Sequence, residues 1–416
     1  VSKPASSSKG ENVFRFTNQL AMGLALLGLL SSCLHDPAHG ALPPKATAGS
    51  ASSDEGKDPD GDLSEEWMAS SLPEEQVVSR EEATEFVAQV FSRVNAKIFD
   101  EAFFQAERAQ AKALLLEALS RTSALTRGEL AGLIDTELQK TGMSHLRLLP
   151  PGVLRRLGER LEQQQQPQLA QKVSARMIGD VGIVRIPSFL VPEISLEEVT
   201  AAFRAVAGAG AVLLDLRGNG GGSISSVTYV AQHLLGPNRT VQLSKTRSGM
   251  SRKVPFVFAS YFPDDQNRAS AADVALERHE GYVEWRTPDA VTEVLSVPKF
   301  LLIDSGCGSS CEAFAAAIRE HHAATLIGEG TRGGLLGSVL YKSAWPGFAL
   351  LVPMAATYSP SGALVEGVGV PVDTSIEACV QAKVPEADRD RRSAECLEEA
   401  LRLVRRDLQP NRATGE

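Results

Sequence analysis

Two stretches of the chain, Val212-Leu213-Leu214 and Phe300-Leu301-Leu302-Ile303, are continuously apolar over the length of a strand, and each runs into a glycine-rich turn and then a helical pattern. A strand without polar alternation is buried on both faces, so it needs layers packed above and below it. This dictates an α/β core. Around these runs, from Val173 onward, short β-rich segments alternate with helices: Val181 to Ile186, a helix near Leu196 to Ala207, Ala211 to Leu216, and a helix near Ser225 to Leu235. Residues 237 to 298 read as less regular, with edge-strand and turn character. After Asp373 the tail is helical, chiefly Ala394 to Leu408.

Before Val173 the pattern is different. From Glu81 to about Lys140 apolar residues recur at helical spacing (Phe86, Val87, Val90, Phe91, Val94, then Leu114, Leu115, Leu119), which predicts an N-terminal helical subdomain. Residues 152 to 172 read as a polar helix with a Gln-rich connector. Still earlier, Leu20 to Leu30 is an apolar run too short to span a bilayer core but suited to the central region of a signal peptide. It ends at Leu30-Ser31-Ser32-Cys33, which resembles the bacterial lipobox, and Lys3, Lys9 and Arg15 supply positive charge ahead of it. Cys33 is thus the expected lipidation site, giving a lipid-anchored protein of the bacterial cell envelope. Residues 34–75, rich in Ala, Ser, Pro, Gly and acidic residues without periodicity, read as a disordered tether with a reach on the order of 35 Å. The expected division is 1–33 signal, 34–75 tether, 76–172 helical subdomain and connector, 173–373 core, and 374–416 helical tail.

A net charge of -9 with no Lys/Arg run excludes a nucleic-acid binder, because nothing is placed to neutralise a phosphate backbone. No CxxC or HxxxH spacing offers a metal site, and no nucleotide-loop motif implies a cofactor. Beyond Cys33 four cysteines remain. Cys379 with Cys396 is the preferred disulfide, since both lie in the tail, while the state of Cys307 and Cys311 is left open.

Four segments carry chemistry. Asp215-Leu216-Arg217-Gly218-Asn219-Gly220-Gly221-Gly222 follows a buried strand, and its three glycines let backbone N–H groups converge on an anion. It fits neither GxGxxG nor GxxxxGK, where Ser223 and Ser225 stand instead. Ile303-Asp304-Ser305-Gly306-Cys307-Gly308-Ser309-Ser310-Cys311-Glu312 sets a serine at the start of a helix, although Ser309-x-x-Glu312 is equally the pattern of a capping box. Gly328-Glu329-Gly330-Thr331-Arg332-Gly333-Gly334 and Tyr358-Ser359-Pro360-Ser361-Gly362, leading through Glu366 to Pro371-Val372-Asp373, are turn chemistry when taken singly.

In this order the segments resemble the catalytic domain of the C-terminal processing (tail-specific) serine peptidases, over roughly residues 178 to 373, and Met143 to Pro150 resembles the Ser-His segment of that family's helical region. The resemblance implies a ClpP/crotonase-like core, polypeptide substrates, and Ser309 as the nucleophile of an acyl-enzyme mechanism. Two departures matter. About 25 residues separate Pro151 from the core, too few for the PDZ domain many members carry. Gly334 stands where the dyad members have their lysine base. The resemblance then points to the PDZ-less branch with a tricorn-like Ser/His/Glu arrangement: Ser309, His145 as base, and Glu366 orienting the imidazole. It places the oxyanion hole on the Gly220, Gly221 and Gly222 loop and the N–H of Ser310. An inactive peptide-binding lipoprotein is the first alternative, and an acyl-CoA-type enzyme on the same architecture the second.

Overall fold

The computed structural model describes residues 65–122, 124–156, 172–189, 196–246, 277–279, 282–288, 294–380 and 386–408. The signal segment with Cys33, and the tether up to residue 64, lie outside the described residues.

The chain opens with α1 (Glu65–Ala69), β1 (Val77–Val78), α2 (Arg80–Lys97), α3 (Gln105–Arg121), β2 (Leu125–Thr126), α4 (Arg127–Gln139) and β3 (Arg147–Leu149). Helices α2 and α4 both start at complete capping boxes, Ser79 with Glu82 and Thr126 with Glu129, which satisfy the first free N–H groups of each helix. There follow β4 (Ser174–Ile178), β5 (Val181–Arg185), α5 (Leu196–Ala205), β6 (Ala211–Asp215), α6 (Ile224–Leu235), β7 (Thr240–Thr246), β8 (Glu277–His279) and β9 (Tyr282–Arg286). The last part holds β10 (Lys299–Ile303), α7 (Ser310–Glu320), β11 (Thr325–Gly328), β12 (Leu336–Lys342), β13 (Ala349–Tyr358), β14 (Thr374–Ser375) and α8 (Arg389–Leu408).

One sheet has the order β14-β11-β10-β6-β5-β4 and is parallel except for the edge strand β4. The continuous apolar runs are its central strands, and their residues divide between two cores. Val212, Leu214, Leu301 and Ile303 pack with Val199 and Phe203 of α5, Val227 and Val230 of α6, and Phe314 and Ile318 of α7. Leu213, Phe300 and Leu302 face the opposite way, against Ala400, Leu401 and Val404 of α8. The Cys379–Cys396 disulfide lies in that second core. This layered arrangement is the α/β fold expected from the sequence.

The second sheet, β12-β13-β7-β9-β8 with β3 added to β13, is antiparallel. It holds several strands from the stretch that sequence leaves irregular, and their pairing partners explain why: β7 pairs with β13, more than a hundred positions on, a contact that no local pattern announces. Helices α2, α3 and α4 do not form a core of their own. Phe86, Val90, Leu115, Leu130 and Ile134 share one apolar cluster with Leu336, Leu350, Val352 and Ala356 of this sheet. Strand β3, just after His145, is thereby stitched to the start of β13, with Leu148 opposite Leu350.

Candidate active site

Strands β6 and β10 are parallel neighbours, so the loops leaving their C-terminal ends meet, which is where open α/β sheets place their chemistry. Asp304, just past β10, draws them together by accepting the N–H groups of Gly218 and Gly306 at 2.8 and 2.9 Å. Ser309 ends the second loop with φ 52° and ψ -128°, a conformation that costs a side-chain-bearing residue on the order of 1–3 kcal/mol and persists only where its surroundings impose it. The capping-box alternative does not describe this serine. Its side chain makes no cap hydrogen bond, its N–H donates to Gly334 O at 3.0 Å, and the Glu312 carboxylate instead accepts from the N–H groups of Gly333 and Gly334 at 2.6 and 2.7 Å. Glu312 is fully buried, and that burial raises its pKa.

The glycine loop leans directly on the serine. Gly221 has φ +97°, and a Cβ on it would lie 2.8 Å from Ser309 Cβ, 2.9 Å from Ser310 N and 2.7 Å from Gly308 O. No side chain fits there. Asn219, fully buried, supports the contact: its Nδ2 donates to Ile186 O, its Oδ1 accepts the Gly221 N–H at 2.9 Å, and its backbone carbonyl accepts the Gly308 N–H at 3.1 Å. The Gly221 N–H is therefore engaged. Those of Gly220 and Ser310 have no acceptor among the described residues. Beneath the loop, Arg217 grips Asp215 through two side-chain bonds of 2.8 and 2.9 Å and reaches Ser393 O on α8. Burial alone would push the Asp215 carboxyl up, but the hydrogen bonds and charge of Arg217, with Arg185 beside it, hold it below the usual carboxylate range.

From the sequence, Glu366 is expected on the imidazole itself. In the structure Ser144 stands between them. The Glu366 carboxylate accepts the Ser144 N–H at 2.6 Å, the Leu335 N–H at 2.7 Å and the Ser144 hydroxyl at 3.0 Å, and Ser144 Oγ lies 2.5 Å from His145 Nδ1. A hydroxyl has one proton. With it committed to the carboxylate, Oγ accepts from an Nδ1–H, which leaves Nε2 as the ring atom with a free lone pair. Burial, with the Arg147 charge second, pushes His145 down to about 4, so the ring is neutral at physiological pH. Burial likewise pushes Glu366 up to about 7.

Gly334 joins the two halves. Its carbonyl holds the Ser309 N–H, and a Cβ on it would lie 3.7 Å from Ser144 Oγ and 3.8 Å from Glu312 Oε2. A side chain leaving this position would therefore start in ordinary van der Waals contact with the Ser144 side of the Glu366–Ser144–His145 chain. Sequence reading gave Ser144 and Asn219 no role. The available signal for Ser144 was its place immediately before His145, and for Asn219 its fixed place in the DLRxNxGG pattern of the family resemblance. His321, at the other end of α7, makes its bonds to Thr240 O and Arg239. No cluster of metal-ligating side chains occurs among the described residues.

A mostly parallel sheet that presents a backbone-constrained serine at a strand-to-helix turn, backed by a glycine loop, is an arrangement suited to nucleophilic serine chemistry. Residues 180–376 match the model of peptidase family S41, so this stretch is the core of a serine peptidase. Among solved structures it is similar to a candidate peptidase from Parabacteroides merdae, at 14% identity over 77% of this chain and 96% of that one, with a TM-score of 0.52. A lipoprotein from Streptococcus agalactiae (13% identity, TM-score 0.44) and the photosystem II D1 C-terminal processing protease (14% identity, TM-score 0.43) are each matched over 71% of this chain and 93% of the other. No curated protein sequence matches the chain.

Proposed function

We propose that this S41 peptidase cleaves polypeptides through an acyl-enzyme formed on Ser309, with His145 as general base and Glu366 acting on it through Ser144. The reading is carried by the chain of hydrogen bonds Glu366–Ser144–His145, which supplies a neutral imidazole with an assigned tautomer in a protein that lacks the family lysine. In the reaction Ser309 Oγ bonds to the scissile carbonyl carbon and its proton passes to His145 Nε2. The N–H groups of Ser310 and Gly220 are the donors for the oxyanion, at the positive end of α7. Collapse breaks the C–N bond, the imidazolium returns its proton to the leaving amine, and water repeats the sequence to release the acyl group. Desolvation makes a buried imidazolium costly, and an ionised Glu366 offsets that cost across the serine.

A fluorophosphonate probe tests this directly. Labelling should map to Ser309 by mass spectrometry and vanish in Ser309→Ala, with peptide hydrolysis falling by about 10⁴-fold or more. Undiminished labelling in that variant removes the assignment. The second reading, a peptide-holding protein without turnover, is favoured by Gly334 at the lysine position; it gains if the folded protein binds peptides but neither labels nor hydrolyses. We further propose attachment to the cell envelope through a lipidated Cys33, a reading supported by the oxidised state of both internal cysteine pairs. Cys33→Ser should move the protein from the membrane fraction to the soluble one. Among the described residues no helix is long and apolar enough to cross a membrane.

A further inference from the structure

Ser309 is flanked two positions away on each side by cysteines, and the fold joins them. Cys307 and Cys311 form a disulfide with their Cα atoms 5.5 Å apart, closing a small ring that has Ser309 at its centre. Both cysteines are fully buried in the core beneath α7, with Phe314 and Ile303 in the same cluster. The segment they close has little stiffness of its own, because Gly308 within it, and Gly306 just before it, impose almost no backbone preference. The backbone hydrogen bond that closes over Ser309 from Cys311 N–H to Gly308 O, at 3.0 Å, is the local tie within the ring, and the bonds from Ser309 N–H to Gly334 O and Gly308 N–H to Asn219 O hold it from outside. A serine in a disfavoured conformation on a glycine-rich segment relaxes unless it is constrained from both sides.

We propose that Cys307 and Cys311 are a positioning pair whose covalent bond fixes Ser309 in its reactive geometry, so that the peptidase reaches full rate only when it has folded oxidised. This rests on the serine-peptidase reading above. Forming the bond removes two electrons and two protons from the two thiols, and a disulfide-class oxidant takes them up by thiol–disulfide exchange. Because both sulfurs are shielded from solvent, the bond is set during folding and does not act as a switch in the finished molecule.

The test compares four samples of the full chain: oxidised wild type, Cys307→Ala/Cys311→Ala, Cys379→Ala/Cys396→Ala, and wild type refolded with a phosphine reductant. The phosphine supplies two electrons and water two protons and an oxygen, giving two thiols and phosphine oxide. The reduced wild type keeps both sulfurs and so separates the bond from the volume it fills. In the Cys307/Cys311 variant and in the reduced protein the maximal rate of Ser309 acylation by a fluorophosphonate should fall on the order of 10- to 100-fold with unchanged probe affinity, since a displacement of about 1 Å has such an effect. The Cys379/Cys396 variant should keep the wild-type rate. Hydrogen exchange across residues 304–312 should quicken in the first two samples whatever the enzyme's activity. Unchanged acylation and exchange overturn the proposal. So does a global loss of folding in both the variant and the reduced protein, which would make the bond a staple of the whole fold. Failure of the oxidised wild type to label at all counts against the catalytic reading, and the exchange measurement then decides the positioning claim alone.

Discussion

Glu366 and Ser144 carry a pH dependence that, in a serine peptidase with a free histidine, the imidazole itself would set. The ring of His145 is held neutral well below pH 7 by burial, so its own titration cannot limit activity from pH 6 upward. The carboxyl of Glu366 loses its proton near 7. Once ionised it accepts the Ser144 hydroxyl and fixes the tautomer with Nε2 open; while protonated it has a proton of its own and that constraint is gone. Acylation should therefore rise with pH through about 7, and Glu366→Gln should abolish the rise, leaving a low and flat profile in single-turnover labelling. Ser144→Ala breaks the relay and leaves the carboxylate its two backbone donors, so the fold survives while kcat drops by about 10²- to 10⁴-fold, as when a triad loses the group that orients its histidine. Gly221→Ala strikes the same site sterically. A Cβ 2.8 Å from that of Ser309, on a backbone with φ +97°, displaces the nucleophile, and labelling should slow with a loss of about 1–3 kcal/mol in denaturant unfolding.

At the level of elements, the loop after β6 is held by charge as much as by glycine. Arg217 is nearly buried and joins Asp215, at the end of the strand, to Ser393 on α8. Removing the guanidinium strands a buried carboxylate, so Arg217→Ala should destabilise by about 3–5 kcal/mol in chemical denaturation. The apolar runs of β6 and β10 and the turns that follow them were legible in the sequence because a doubly buried strand has no polar face to confuse it. Ser309, Glu366 and His145 were singled out as candidates by their place in a motif order. The relay through Ser144 was not, because what brings it to Glu366 is the pairing of β3 with β13, set by residues two hundred positions apart. The second sheet escaped for the same reason. Its strands are made by partners, and β7, with Thr, Gln, Ser and Lys among its seven residues, has no composition that declares it alone.

For the molecule as a whole, two covalent ties sit on opposite sides of the parallel sheet. Cys379–Cys396 pins α8 to the face away from the site, in the core with Leu213, Leu302 and Val404. With its cysteines 17 positions apart, its loss should lower stability by about 3 kcal/mol through the freed chain entropy, read as a lower denaturation midpoint with Ser309 labelling unchanged. The apolar cluster shared by α2, α3, α4 and the antiparallel sheet has a different consequence. Ser144 and His145 come from one part of the chain and Ser309 from another, and the catalytic reading needs them to meet once that common interior has closed. On the catalytic reading, a half-made or still-unfolding copy has every residue of the blade and no cutting edge. On that reading the protein is harmless to its surroundings, and to other copies of itself, until the last tertiary contacts are in place.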